Sequence, residues 1–214
     1  MKDTKLVIFD WDGTLSDSVA RISQCIQLAA DDHSLPVPSY DEAKDIIGLG
    51  LKEAIQRLFP SANEAMIQRF SQSYSAHYRL QDAEPCGFFP GVLDTLDELR
   101  AAGYLLAVAT GKSRAGLDRV FAATELSEFF HGSRCADETQ SKPHPMMLEE
   151  LLAEHQIVAS NAVMVGDTEF DMEMAVNAEM PRIAVSYGAH DVDRLTIYKP
   201  VTCLDYFSDI IKYI

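Results

Sequence analysis

Short apolar runs recur along the chain, separated by stretches with helical spacing. Residues 6–9, 104–109, 162–165 and 183–185 are continuous apolar runs of strand length, and 201–204 is a further candidate. Between them, Val92–Leu96–Leu99, Leu117–Val120–Phe121 and Met147–Leu148–Leu151–Leu152 keep the spacing of one helix face. Gly103 stands where a helix should stop, just before a strand. Apolar strands alternating with amphipathic helices predict a parallel sheet covered by helices on both faces. Ligands of such sheets bind beyond the carboxyl ends of the strands, so the polar residues following each run are the candidates for chemistry.

One segment breaks the alternation. From about Val19 to Asp82 the pattern is helical throughout. Val19, Ile22, Ile26 and Ala29 share one face, Leu51, Ala54, Ile55 and Leu58 another, and Met66, Ile67, Phe70 and Tyr74 a third. Pro36, Pro38, Gly48, Gly50 and Pro60 punctuate these runs, and the proline- and glycine-rich EPCGFFPG follows them. The pattern predicts an all-helical insertion, residues 16–83, in an α/β core made of residues 1–15 and 84–214. The connections at 15–18 and 83–90 are the expected hinges.

Composition narrows the partners. The 214 residues include 33 acidic and 18 basic ones, a formal charge of −15, which argues against nucleic acid and anionic membrane surfaces. An acidic protein acting on an anionic substrate must gather its few cations locally. Hydrophobic residues make up 47 % of the chain, enough for a packed core. Cys25, Cys86, Cys135 and Cys203 lie far apart, as expected of reduced thiols rather than a disulfide framework. The first apolar run is too short for a signal sequence, and no run approaches the ~20 residues of a membrane span. A cytoplasmic protein is expected.

The strand ends carry the chemistry. The first run leads into Asp10-Trp11-Asp12-Gly13-Thr14. Residues two apart in extended backbone point to the same side, and two carboxylates held so close repel. They require a cation, a proton or exposure to solvent. The second run leads into Thr110-Gly111-Lys112-Ser113, and the fourth into Gly166-Asp167-Thr168 with Asp171 one helical turn on. Lys142 precedes a proline ahead of another helical pattern.

These motifs, DWDGT, ATGKS, SKPHP and VGDTEFD in that order, resemble those of the haloacid dehalogenase superfamily. The similarity is to its phosphoglycolate phosphatase-like subgroup, with a helical cap after the first motif. The resemblance implies a Rossmann-like parallel sheet with an inserted all-α cap. It also implies Mg²⁺-dependent hydrolysis of a small phosphorylated metabolite through an aspartyl-phosphate. On that basis Asp10 is the nucleophile and Asp12 the general acid and base. The expected metal ligands are the Asp10 carboxylate, the Asp12 main-chain carbonyl and Asp167, with Asp171 orienting a bound water. Thr110, Gly111, Lys142 and the turn at Gly13 are expected to hold the phosphoryl oxygens.

Other residues have plainer expectations. Ser113 suits a helix N-cap. Lys112 and Arg114 are expected to be solvated charges. Trp11 is placed equally against the cap or in the core. In the cap, the turn IIGLGLKEAI is expected near the substrate through Lys52 or the Gly48–Gly50 backbone, or else as a plain turn with an exposed lysine. Where related chains carry glycine, NAEMP has Glu179, which costs roughly 1 kcal/mol if its backbone is left-handed. Phosphoglycolate is the favoured substrate. The alternatives are a sugar phosphomutase, a nucleotide or pyrophosphate phosphatase, a dehalogenase, and a non-catalytic binding module. One chain holds every catalytic candidate, so a monomer is expected, with a dimer left open.

Overall fold

A computed structural model describes residues 3–81 and 86–214. Six parallel strands form one sheet: β1 (Leu6–Phe9), β2 (Leu105–Thr110), β3 (Gly132–Cys135), β4 (Ala162–Gly166), β5 (Arg182–Val185) and β6 (Cys203–Leu204). Their order is β3-β2-β1-β4-β5-β6, which puts β1 between β2 and β4. In β1, Val7 and Phe9 belong to one core cluster and Leu6 and Ile8 to another, on the opposite face. Both faces are covered, so the strand reads as an unbroken apolar run rather than an alternating one.

The fold class is as expected, with differences at the edges. The predicted strand 104–109 lies one residue later, and 201–204 shrinks to two residues. β3 was not predicted. It pairs only with β2, is largely half-buried, and its sequence GSRC carries no apolar run.

The cap comprises α1 (Val19–Asp32), α2 (Tyr40–Lys44), α3 (Leu51–Leu58) and α4 (Glu64–Leu80). Ile22, Ile26, Ile55, Ile67 and Phe70 pack into its own core. The first connection lies beside the described part of the second. The Asp17 amide donates to the Gly87 carbonyl (2.9 Å) and the Phe89 amide to the Leu15 carbonyl (3.0 Å). The other end of the expected second hinge, including Ala83 and Glu84, falls outside the described residues. The core helices are α5 (Val92–Ala101), α6 (Arg114–Thr124), α7 (Met146–His155), α8 (Glu169–Asn177) and α9 (Val192–Thr196). α5 ends at Gly103, whose φ of 91° is left-handed. Glu179 also adopts positive φ, 52°, so the left-handed conformation expected after α8 is present without a glycine.

Candidate active site

The central strand delivers Asp10 to the carboxyl edge of the sheet, where it is buried. Asp167 follows β4, the neighbour of β1, and Asp171 lies in the first turn of α8. Their carboxylates meet: ligand atoms of Asp10, Asp167 and Asp171 lie within 4.8 Å of one another. Lys142 enters from the loop before α7. Its Nζ is 2.7 Å from Asp10 Oδ1 and 2.6 Å from Asp171 Oδ1, with the side chain fully buried.

Each carboxylate is held differently. Asp167 Oδ1 accepts from the Thr14 hydroxyl (2.7 Å), and Oδ2 accepts from the Ala189 amide (2.7 Å). Asp171 Oδ2 accepts from the Thr168 amide (3.0 Å) and hydroxyl (2.7 Å), closing a capping box at the start of α8. Asp171 thus pairs with Lys142 and starts its helix. Neither oxygen of Asp10 accepts an aligned hydrogen bond among the described residues, although Lys142 forms an ion pair with Oδ1. Burial, above all, pushes the Asp10 carboxyl well above its usual range; Lys142 opposes this, while Asp171 and Asp167 add to it. Burial and then Asp171 push Asp167 up to about 7, against the Ala189 amide and Thr14 hydroxyl. For Lys142, burial disfavours the charge, but Asp10 and Asp171 outweigh it and raise the pKa.

Lys142 is one cation among three buried carboxylates, which leaves charge that a proton or a further cation must meet. Hard carboxylate oxygens on adjoining elements suit Mg²⁺. The cluster therefore fits a divalent cation. Three glycines allow its density: a Cβ on Gly166 would lie 2.3 Å from Asp171 Cβ. A Cβ on Gly13, whose φ is 83°, would lie 2.2 Å from Asp167 Oδ2, and one on Gly188 would lie 2.2 Å from Asp167 Cβ.

Asp12 faces a cavity shared with the cap. Its Oδ1 accepts from the Ser18 hydroxyl at 2.6 Å and pairs with Lys112 Nζ at 2.9 Å. Ser18 occupies the N-cap position of α1, yet its hydroxyl makes no capping bond. Lys112 is no solvated charge. It sits 4.8 Å over the Tyr78 ring, and its pKa is raised: burial opposes the charge, but Asp12 outweighs that. Its place directly after Thr110-Gly111 was the one sequence signal for this role. Thr110 is buried at the end of β2 and its hydroxyl accepts the Lys112 amide at 3.2 Å; Gly111 lines the cavity. Ser113 caps α6, its side chain accepting from the Gly116 amide.

Other candidates lie elsewhere. Trp11 is buried in the core against Phe88, Phe121 and Phe130. Arg114 pairs with Glu138 at 2.8 Å, outside the site. Lys52 is half-exposed, pairs with Glu64 at 3.2 Å and does not line the cavity over Asp10. The cap turn does reach that cavity: a Cβ on Gly111 would lie 2.4 Å from the Leu49 carbonyl oxygen and 2.7 Å from that of Gly48.

The pattern of the haloacid dehalogenase-like hydrolases matches residues 7–185. The chain belongs to this family. Among its members, the protein named Probable phosphatase IndB of Dickeya dadantii is 35 % identical over 96 % of this chain and 91 % of its own. The phosphoglycolate phosphatase of Vibrio cholerae is 30 % identical over 98 % of this chain and 94 % of its own. A crystal structure of a predicted phosphoglycolate phosphatase from Haemophilus somnus superposes with a TM-score of 0.89 at 27 % identity, covering 99 % of this chain and 98 % of that one. Three of the motifs directly follow β1, β2 and β4, and SKPHP lies in the loop between β3 and α7.

Proposed function

We propose that the protein is a Mg²⁺-dependent phosphatase that cleaves a small phosphate monoester through an aspartyl-phosphate on Asp10. The observation that carries this is the buried cluster of Asp10, Lys142, Asp167 and Asp171. Within it Asp10 meets Lys142 at Oδ1, and among the described residues its Oδ2 accepts no hydrogen bond.

A carboxylate oxygen of Asp10 attacks phosphorus while the bond to the leaving oxygen breaks. Asp12 gives that oxygen its proton. Ser18 and Lys112 both engage Oδ1 of Asp12, which leaves Oδ2 to carry the proton. In the second step a water attacks phosphorus, Asp12 takes its proton, and the bond to Asp10 breaks to release inorganic phosphate. Lys142 holds Asp10 in place and offers positive charge to the transferring oxygens, as do the amides after Thr110. Asp10, the Asp12 main-chain carbonyl and Asp167 would hold the cation, and Asp171 supports the group through Lys142. When bound, Mg²⁺ neutralises charge between the carboxylates and the phosphate dianion.

The names of the Vibrio cholerae and Haemophilus somnus relatives suggest phosphoglycolate as substrate. The mostly apolar cap wall of the cavity does not favour a carboxylate there. All the site residues come from one chain, which supports a competent monomer.

Purified protein with Mg²⁺ is expected to release phosphate from members of a panel of small phosphate monoesters. A chelator should stop it, and Asp10→Asn should abolish turnover while keeping the fold. Phosphate release unchanged in Asp10→Asn would overturn the nucleophile assignment. No release from any ester would overturn the phosphatase reading.

A further inference from the structure

The cavity above Asp10 and Asp12 has two unlike sides. Its core side carries the charges: Asp10, Asp12, Lys112 and, at the exposed rim, Arg119. Its cap side is built from Ile26 on α1, Ile46, Ile47 and Leu51 around the α2–α3 turn, and Tyr74 and Tyr78 on α4. Among the described residues, no charged side chain of the cap lines it. Burial pushes the Tyr74 and Tyr78 phenols up, Tyr78 to about 12, so both are neutral. The cap's backbone adds carbonyl oxygens of Gly48 and Leu49 over Gly111, which repel an anion.

A substrate with its phosphate on the core side must lay its leaving group against this wall. A carboxylate placed there loses its hydration and meets no cap cation. Lys112 does not replace one, because it is already committed to Asp12 and to the Tyr78 hydroxyl, 3.4 Å away. A polyhydroxylated leaving group meets the Ser75 and tyrosine hydroxyls and the Gly48 and Leu49 carbonyls, but its remaining hydroxyls would face aliphatic carbon. An apolar leaving group gains, because packing on the wall takes its surface out of water.

We infer that the site takes the phosphate monoester of a neutral, largely apolar alcohol, whose leaving group packs on the isoleucine, leucine and tyrosine wall of the cap. This rests on the phosphatase reading for its orientation, with phosphate toward Asp10. Such a substrate must come from a reaction that phosphorylates, or joins a phosphate to, an apolar hydroxyl compound.

Benzyl phosphate and 2-phosphoglycolate both carry an alkyl C–O–P linkage, and they differ in the body that meets the cap. Binding of each to the Mg²⁺-loaded Asp10→Asn variant, measured by calorimetry, reads the preference without turnover. Benzyl phosphate is expected to bind at least about tenfold more tightly. Equal or tighter binding of phosphoglycolate, or no binding of either, overturns the inference. Leu51→Ala in the same background is expected to weaken benzyl phosphate severalfold and leave inorganic phosphate unchanged. An equal loss for both ligands, or no loss for benzyl phosphate, also overturns it. Phosphate release by the unsubstituted protein is a separate readout. If benzyl phosphate binds preferentially but no ester is hydrolysed, the phosphatase reading fails while the preference stands.

Discussion

The two walls of the cavity are built on opposite principles. On the core side, charged groups are buried and held by several partners each: Asp167 by Thr14 and Ala189, Asp171 by Lys142 and Thr168. On the cap side, mostly apolar side chains from three helices and the α2–α3 turn line the cavity. Cap and core meet at a polar rim. There Arg194 pairs with Asp45 of the cap and with Glu169 of the core, and Arg57 of the cap lies 3.4 Å from Asp45. The core side thus dictates a reaction, because charges in a dry site tolerate little displacement. The cap side dictates a shape, and an apolar wall changes shape at lower cost than a charge cluster does.

Four substitutions test this contrast, beginning with the largest expected effect. Lys142→Met removes the cation shared by Asp10 and Asp171, leaving buried carboxylates without their partner. Turnover should fall by about 10²–10³-fold, and thermal unfolding should begin at lower temperature. Full activity in steady-state assays would place the chemistry elsewhere.

Gly111→Ala probes the seam between the walls. Its Cβ would meet the Leu49 and Gly48 carbonyl oxygens, so the cap turn must withdraw. Turnover should fall by roughly 10²-fold with little change in melting temperature, because the core strand is untouched. A large loss of stability with normal turnover would contradict that separation.

Arg194→Met loosens the rim alone. Partly exposed ion pairs contribute roughly 0.2–1 kcal/mol each, so stability should drop by about that amount. Hydrogen exchange should quicken in the turn around Asp45, and the difference from the parent protein should shrink at high salt. Unchanged exchange there would remove the rim's role in holding the cap.

The smallest effect is expected at His190. Its Nδ1 accepts the Glu169 amide (3.0 Å), so the proton sits on Nε2, which faces the Asp45 carbonyl at 3.1 Å. Burial first, then Arg194, holds its pKa below the ordinary 6.5, against the pull of Asp45 and Glu169. The folded state therefore binds fewer protons than the unfolded one as pH falls through 6.5 toward the lowered value. Stability from this group is present above 6.5 and is lost across that window. His190→Asn should flatten the melting temperature between pH 7 and 5.5; an equally steep fall in the variant would assign the dependence to another group.

The site residues were legible where chemistry follows a strand end. Asp10, Gly111 and Asp167 stand directly after β1, β2 and β4, and local backbone geometry is enough to bring them to one edge of the sheet. Lys112 was misread because its partners, Asp12 and Tyr78, come from distant parts of the chain, and nothing local distinguishes it from an exposed lysine. Lys52 erred in the opposite direction. It follows Leu51, which faces the cavity, and one residue along a helix rotates a side chain by about 100°. Edge strand β3 escaped because it is only partly buried, so GSRC shows neither the unbroken apolar run of a strand covered on both faces nor the alternation of one covered on a single face.

The sequence alone determined the parallel α/β core, the helical insertion and the order of the chemical groups, because burial periodicity and strand-end polarity are written residue by residue. Tertiary structure alone decided that Asp10 Oδ2 is left without a donor among the described residues, that Lys112 serves Asp12, and that the cap turns a mostly apolar face to the cavity. Those properties depend on which atoms exclude water from which others, and that is settled only when distant segments pack.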